Sequence, residues 1–318
     1  MTDKELMLFK TIVDEKSLSK AAEKIRMAQP SLSQRLNRLE QRIGIKLFNR
    51  TKNGLTLTYA GEKYYQMASR VLKIYNDFQV EVSEINQLKK GRLTIGINSF
   101  LSIHILPVVL PAFLERCPQF EIRVVEKIST QLERDLAMGE LDFAIMHATP
   151  APSDIEDYSP YVNFYTLSKD PFLLVTKKGH PLHAHAVKKP YSPHPWIDLK
   201  LFENEPFILV DKGHRIRQVS DYILQNAGMK PKIAITTKSF ESARRLACQG
   251  LGVTFVPQQY TEIFPHQLYQ GAYYSLDEKY GSVWELGVAV AKDSYISDAS
   301  KLFIRLLSEK FGKQTIIL

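Results

Sequence analysis

Ser17-Leu18-Ser19-Lys20-Ala21-Ala22-Glu23-Lys24-Ile25, then Gln29-Pro30-Ser31-Leu32-Ser33-Gln34-Arg35-Leu36, Leu39-Glu40 and Gly44-Ile45-Lys46-Leu47-Phe48-Asn49-Arg50, reads as two short helices running into a hairpin. The first helix begins at Ser17, and its small pair Ala21-Ala22 lets another helix cross closely above it. Arg26-Met27-Ala28 makes the sharp connection. Pro30 falls in the first turn of the next helix, where a missing N–H costs nothing. Leu32, Leu36, Leu39 and Ile43 then recur at steps of four, three and four, as one buried stripe does. At about 100° per residue, the opposite face holds Pro30, Gln34, Asn37, Arg38 and Gln41, with Ser31, Ser33 and Arg35 on its flanks. That face is polar, basic and free of carboxylates. Gln, Asn, Ser and Arg are side chains that pair with base edges in a major groove, and the amino end of a recognition helix is what reaches them.

Beyond Gly44 the pattern becomes short alternation from Leu47 to Leu57, with Asn53-Gly54 as the hairpin turn and Arg50 and Lys52 near its tip. Upstream, Leu6, Phe9 and Val13 mark an amphipathic helix that closes a three-helix core. These features predict a winged helix-turn-helix over residues 1–58 whose partner is double-stranded DNA. An ordinary helical hairpin with a solvated basic face accounts for neither the wing nor the missing carboxylates.

Charge follows the same division. The 318 residues carry a formal +8, and residues 1–90 hold seventeen Lys and Arg against ten Asp and Glu, while the remainder is nearly balanced. A phosphate-binding module requires such an asymmetry. Two cysteines, Cys117 and Cys248, make no disulfide framework and point to a reducing compartment. Asp3 and Glu5 stand where a signal peptide would be positive and then apolar, and the apolar run Phe100 to Leu114 is shorter than the ~20 residues of a membrane span. A soluble cytoplasmic protein without membrane association is the expectation.

Thr58 is the expected N-cap of a long helix over 59–90. From Tyr64 the apolar residues are Tyr64, Ala68, Val71, Tyr75, Phe78, Val82 and Ile85, alternating steps of four and three over three heptads. A 3.5-residue repeat is a seam for a facing helix, whereas packing onto the chain's own next domain would more often give a broader 3.6-residue stripe, so this segment predicts a homodimer, and two heads reading two half-sites multiply specificity. Gly91 is expected to end that helix and mark the domain boundary.

From Arg92 onward strand and helix alternate. Strands are predicted at Leu93–Ile97, Phe120–Val125, Leu141–Met146, Phe172–Thr176, Phe207–Val210, Ile233–Thr236, Val253–Val256 and Trp284–Ala291. Helices are predicted at His104–Arg116, Leu132–Met138, Ile216–Asn226, Phe240–Gln249 and Ser297–Phe311. Repeated βαβ units imply an α/β domain with a mainly parallel sheet, here in two lobes, lobe I about 91–162 and 272–318 and lobe II about 163–271. Ligands bind open α/β sheets beyond the carboxyl ends of their strands, which places a cleft between the lobes.

The Ala21-Ala22, Gln29-Pro30-Ser31, Leu39-Glu40, Gly44 and Leu47-Phe48-Asn49-Arg50 pattern resembles that of the LysR-type transcriptional regulators. Gln249-Gly250-Leu251-Gly252-Val253-Thr254-Phe255-Val256-Pro257 resembles a late strand entry of the same family. The resemblance covers essentially the whole chain. It implies a winged helix-turn-helix, a dimerisation linker helix and a periplasmic-binding-protein-like (type 2) effector domain. It also implies a bacterial homotetramer built from dimers that binds promoter DNA, with RNA polymerase as a further partner, and shifts its DNA contact when a small molecule enters the cleft. Carried over residue by residue, base reading falls to Gln29, Pro30, Ser31, Ser33, Gln34 and Arg35, and phosphate contact to Arg38, Arg50 and Lys52. The Pro- and His-rich segment from His183 to Leu199 departs from the family pattern.

Strand-end loops nominate the effector contacts: Asn98, Ser99 and Phe100, Ser129 and Thr130, His147, Lys212 and His214, and Thr237 and Ser239. Several precede helices, whose free N–H groups favour an anion, and Lys212, His214, Arg215 and Lys238 add positive charge. A carboxylate-bearing metabolite is therefore expected, with no resident cofactor or metal. Plain N-capping is the competing role for Ser99, Ser129 and Ser239, a lobe-interface histidine is favoured over a ligand contact for His147, and Lys212 and Arg215 could equally belong to a solvated loop. Three rival functions have weaker support. An enzyme fused to a DNA-binding head lacks a Gly-rich nucleotide loop or a Ser/His/Asp set. A redox switch through Cys117 and Cys248 would need large refolding. Metal sensing by His180, His183, His185 and His194 has no regular frame.

Overall fold

The computed structural model describes residues 2–51, 54–85, 90–148, 159–190, 192–260 and 270–312. Helices α1 (Asp3–Glu15), α2 (Leu18–Lys24) and α3 (Gln29–Ile43) enclose a core that includes Leu6, Phe9, Ile12, Ala21, Leu32 and Leu36. Local chemistry sets their ends. Thr2 and Glu5 form a reciprocal capping box on α1, Ser17 accepts from the Lys20 amide at the start of α2, and Gly44 at φ 82° closes α3. Ile43, expected in the buried stripe, is 40% exposed, and Glu40 is buried in its stead. The carboxylate of Glu40 accepts from the Leu47 amide at 2.9 Å and the Phe48 amide at 3.3 Å, tying α3 to the wing.

The wing pairs β1 (Phe48–Thr51) with β2 (Gly54–Leu57), and Thr51 registers with Gly54. Gly54 is thus a strand residue rather than half of the expected Asn53-Gly54 turn; Lys52 and Asn53 lie outside the described residues. Its φ of 117° lets the strand approach α1, where the Leu55 amide donates to the Lys16 carbonyl at 2.9 Å.

Helix α4 (Tyr59–Ile85) starts at Thr58, whose Oγ1 accepts from the Gly61 amide at 3.0 Å. The expected seam divides here. Tyr64 meets Phe9 edge-on with ring centroids 4.6 Å apart, and Ala68 is fully buried in the same head core. Those two positions are consumed within the chain and do not face a partner. Val71, Tyr75, Phe78 and Val82 are exposed, so the available strip begins at Val71; the side chain of Ile85 lies outside the described residues.

Beyond α4, β3 (Gly91–Ile97) runs parallel to β4 (Phe120–Glu126) and β5 (Phe143–His147). Gly91 begins β3, registered with Phe120, and is not the terminator of the long helix. Helix α5 (Ser99–Arg116) starts five residues earlier than expected because the Asn98 side chain caps it, accepting from the Leu101 amide at 2.8 Å. Pro107 and Pro111 sit on its exposed face, where carbonyls left without an N–H partner meet water, so the helix continues through both. By length and composition these 18 residues could cross a membrane. Leu101, Ile105, Val109 and Phe113 instead face the lobe I core with Phe303 of α9 (Asp298–Phe311).

Strands β6 (Val162–Lys177) and β11 (Val283–Ala291) pair antiparallel through the middle of the molecule. The far half of β6 then pairs with β9 (Thr254–Pro257) and β10 (Gly271–Ser275), both antiparallel. Among the described residues the sheet order is β10-β6-β11-β5-β3-β4, with β9 also on β6. It is mixed rather than mainly parallel, because β6 is a single 16-residue strand shared by both lobes. For the same reason β10, expected in lobe I, belongs to lobe II, and the chain returns near Ser282, whose carbonyl accepts from the Phe172 amide. Lobe II is completed by β7 (Phe207–Val210) parallel to β8 (Ile233–Thr237), with α7 (Arg215–Asn226) and α8 (Phe240–Cys248) over Phe172, Phe207, Val219 and Phe255 on one side and Leu173, Ile208 and Ala247 on the other. Helix α6 (Ser129–Ala137) buries Leu132 and Leu136 against β5 and β11 of lobe I.

Candidate functional site

The outer face of α3 presents Gln29, Pro30, Ser31, Gln34, Arg35 and Arg38 to solvent, with Ser33 half-buried. Neighbouring cations divide into two sets. Arg42 forms a fork with Glu5 at 3.0 and 3.1 Å, Lys46 pairs with Glu40 at 2.6 Å, and Lys24 pairs with Glu15 at 2.5 Å. Lys20, Arg26, Arg35 and Arg38 have no carboxylate partner among the described residues, so unneutralised charge gathers along the α2–α3 unit. Lys20 and Arg26 were not among the expected contacts. Arg26 holds φ 53° in the tight turn, a placement the sequence signalled only as a connection. Arg50 stands on β1 opposite Leu55; its side chain and Lys52 lie outside the described residues.

Between the lobes lies a cavity of about 500 Å³. Asn98, Ser99, Phe100, Ser129, His147, His214 and Ser239 line it as expected. Thr130, Lys212 and Thr237 do not. Thr130 follows Ser129 by one helical step, about 100° around α6. Lys212 is exposed on the turn before α7, and the Thr237 hydroxyl accepts from the Ser239 amide at 3.3 Å within its own loop.

The amino ends of α5, α6, α7 and α8 all point at this cavity. Asn98 caps α5, and Ser239 caps α8 by accepting from the Ser242 amide. The residues preceding α6 and α7, Ile128 and His214, form no side-chain cap bond, so those ends keep more of their positive dipole. Ser129 is thus the first residue of α6 and not its cap. Lys127, Arg215 and Lys238 also line the walls, together with Glu126, whose hydrogen bonds from Ser102 and Ser99 hold its carboxyl below the usual range.

The floor is aromatic. Phe100 meets Tyr260 with centroids 3.9 Å apart and Phe240 edge-on at 5.0 Å, and Phe240 meets Tyr260 at 4.5 Å. His147 stacks on Trp284 at 3.5 Å and 10°, with Gln259 Nε2 3.4 Å from its Nε2. Burial, then the Arg215 charge, pushes its imidazole down to about 3, so it is neutral. Phe240, Tyr260 and Trp284 escaped the sequence reading because each looks like ordinary core at its own position. The lobes also meet through a buried ion pair: Arg215 of α7 donates to Glu133 of α6 at 2.6 Å and to Gln218 at 2.7 Å.

A family model described as the LysR substrate binding domain matches residues 86–312, and one described as the bacterial regulatory helix-turn-helix protein, lysR family, matches residues 4–62. The chain belongs to the LysR family of transcriptional regulators. It is 31% identical over 255 residues, 77% of this chain and 76% of the relative, to the uncharacterized HTH-type transcriptional regulator YcgK of Bacillus subtilis (strain 168). It is 28% identical over 256 residues, 80% and 75% of the two chains, to the HTH-type transcriptional regulator CfxR of Cupriavidus necator. Among solved structures, a full-length OxyR variant from Pseudomonas aeruginosa superposes with a TM-score of 0.69 at 24% identity, covering 98% of this chain and 94% of that one, and shares the fold.

As a LysR-family regulator, the protein has a winged head and an effector domain in one chain. Nothing favours the redox or metal alternatives. Cys248 is buried and Cys117 partly so, both thiols are pushed up by burial, and neither lines the cleft. Three of the four histidines have separate partners: His180 faces Glu205 at 3.6 Å, His183 bonds the Tyr274 hydroxyl at 3.1 Å, and His194 lies near the Tyr273 ring. Among the described residues no group of three or more His, Cys, Asp or Glu gathers to hold a metal.

Proposed function

We propose that this LysR-family regulator senses a small anionic metabolite, bearing a carboxylate and a flat or apolar body, in the cleft between its lobes. The observation that carries this is the convergence of four helix amino ends, with Arg215, Lys238 and Lys127, on a cavity floored by Phe100, Phe240 and Tyr260. The carboxylate belongs at the uncapped ends of α6 and α7, and the body belongs on the rings. No resident cofactor and no catalytic step are needed for such a sensor. A thermal-shift screen of organic acids and amino acids against the full chain tests it: carboxylates should raise the melting temperature in a concentration-dependent way, and stabilisation by neutral apolar compounds alone would overturn it.

On the output side, Gln29, Pro30, Ser31, Ser33, Gln34 and Arg35 read promoter bases, while Arg38, Arg50 and Lys52, joined by Lys20 and Arg26, hold phosphates. Dimerisation through Val71, Tyr75, Phe78 and Val82 sets the spacing of two heads. Ile103, Val108 and Leu114 of α5 and Val124 of the edge strand β4 are further exposed large apolar residues, which supports pairing of dimers into a tetramer. The effector then alters head spacing on the promoter, where RNA polymerase is the further partner. DNA as partner and two free cysteines support a cytoplasmic location.

A further inference from the structure

Helix α6 touches the effector cleft at one end and the DNA-binding head of its own chain at the other. Ser129 lines the cavity, and Glu133, one turn along, holds Arg215 across the lobes. At the carboxyl end Ala137 and Met138 pack against Tyr65 of α4. Glu140, just beyond, pairs with Lys10 of α1, and the Tyr65 hydroxyl lies 3.5 Å from the same carboxylate oxygen. Lys10 Nζ is also 3.4 Å from that hydroxyl, and the Lys73 side chain lies so close to Gly139 that a Cβ there would come within 2.4 Å of it. Between these ends Leu132 and Leu136 are fully buried, so about 14 Å of helix is held as one piece.

We propose that α6 and the Gly139-Glu140 turn couple the cleft to the seating of the DNA-binding head within one chain, through the Glu133–Arg215 and Glu140–Lys10 ion pairs. Its regulatory meaning rests on the cleft being the effector site, because an anion that draws on Arg215 competes with Glu133 for the same guanidinium. The head side is suited to respond. Its contact with lobe I is the small Ala137–Met138–Tyr65 cluster, the Lys73–Gly139 contact and the polar group around Glu140, set beside a cavity of about 530 Å³ lined by Asp14, Lys24, Tyr65 and Arg134, and so a small contact area to reorganise. A separate tether, Arg70 over the Tyr161 ring at 4.7 Å, keeps α4 on lobe I when the Glu140 contact is lost.

Hydrogen exchange on the full-length protein without ligand tests the coupling, with wild type, Glu133→Gln, Glu140→Gln and the double variant. Glu133→Gln, made at the ion-pair partner of the cleft-lining Arg215, should speed exchange of α1 amides at least about twofold, the low end of measured couplings between sites. Glu140→Gln should do the same alone, and adding Glu133→Gln to it should produce no further rise in α1. Exchange in α1 that is unchanged by Glu133→Gln, or effects that multiply in the double variant, would overturn the coupling. Arg215→Lys perturbs the same pair with charge retained and is read identically should Glu133→Gln fail to fold. Because no ligand is used, loss of this coupling and failure of the carboxylate screen are separately readable.

Discussion

Glu40 shows how much one carboxylate can decide. Burial pushes its carboxyl up, but Lys46 and the Leu47 and Phe48 amides outweigh that, and its pKa lies below the usual value. The sign follows: a group depressed on folding stabilises above its unfolded pKa and loses that contribution as pH falls through the folded one. Glu40→Gln should therefore destabilise the head by about 1–3 kcal/mol at neutral pH in urea unfolding, and the gap between the two proteins should shrink as the pH falls through the range in which the Glu40 carboxylate takes up its proton. His147 carries the opposite charge type with the same direction of pH dependence. Held at about 3, it stays neutral while the unfolded chain takes up a proton below about pH 6.5, so stability is full above that pH and declines toward pH 3. His147→Gln should remove a slope of up to about 1.4 kcal/mol per pH unit; equal melting-temperature losses between pH 7 and pH 5 would refute this. Gln34→Ala should cost about 1–3 kcal/mol at one or two base positions, and an unchanged site preference in a binding selection would sink its reading role.

Among the elements, the helices were the most legible, because a 3.6-residue stripe and a cap are local. The α7, α8 and α9 boundaries fall within a residue of expectation. Strand β6 was not: only Phe172 to Thr176 has a continuous apolar run, while Val162 to Asp170 alternates unevenly and owes its extension to β11 alongside it. The wing depends on a contact no pattern reveals. A Cβ on Gly54 would come within 2.6 Å of the Lys16 carbonyl, at a φ that already excludes most side chains. Gly54→Ala should cost roughly 1–3 kcal/mol and lower the first unfolding transition of the full chain, with the effector domain's transition unmoved.

Across the whole molecule, α4 serves two masters. Tyr64 and Ala68 belong to the head, while Val71, Tyr75, Phe78 and Val82 are exposed. Phe78→Glu puts a charge among these four and should halve the mass measured by light scattering at micromolar protein. Its DNA affinity should lose about half of its dependence on log salt, since half as many heads then meet the phosphates. Arg38→Ala should weaken all sequences alike and lower the slope by about one per head.

Sequence alone determined the order of parts: a basic winged head, a long helix, and an alternating α/β domain. Periodicity, caps and turn residues act over a few positions, so they survive without knowledge of the fold. It also named most of the loops around the cleft, since strand ends and helix starts are local events. Tertiary structure alone decided what those loops build. Phe100, Phe240, Tyr260 and Trp284 become one floor, Arg215 finds Glu133 82 residues away, and the first two seam positions turn inward. Each depends on the distance between elements far apart in the chain, and that distance is set by packing.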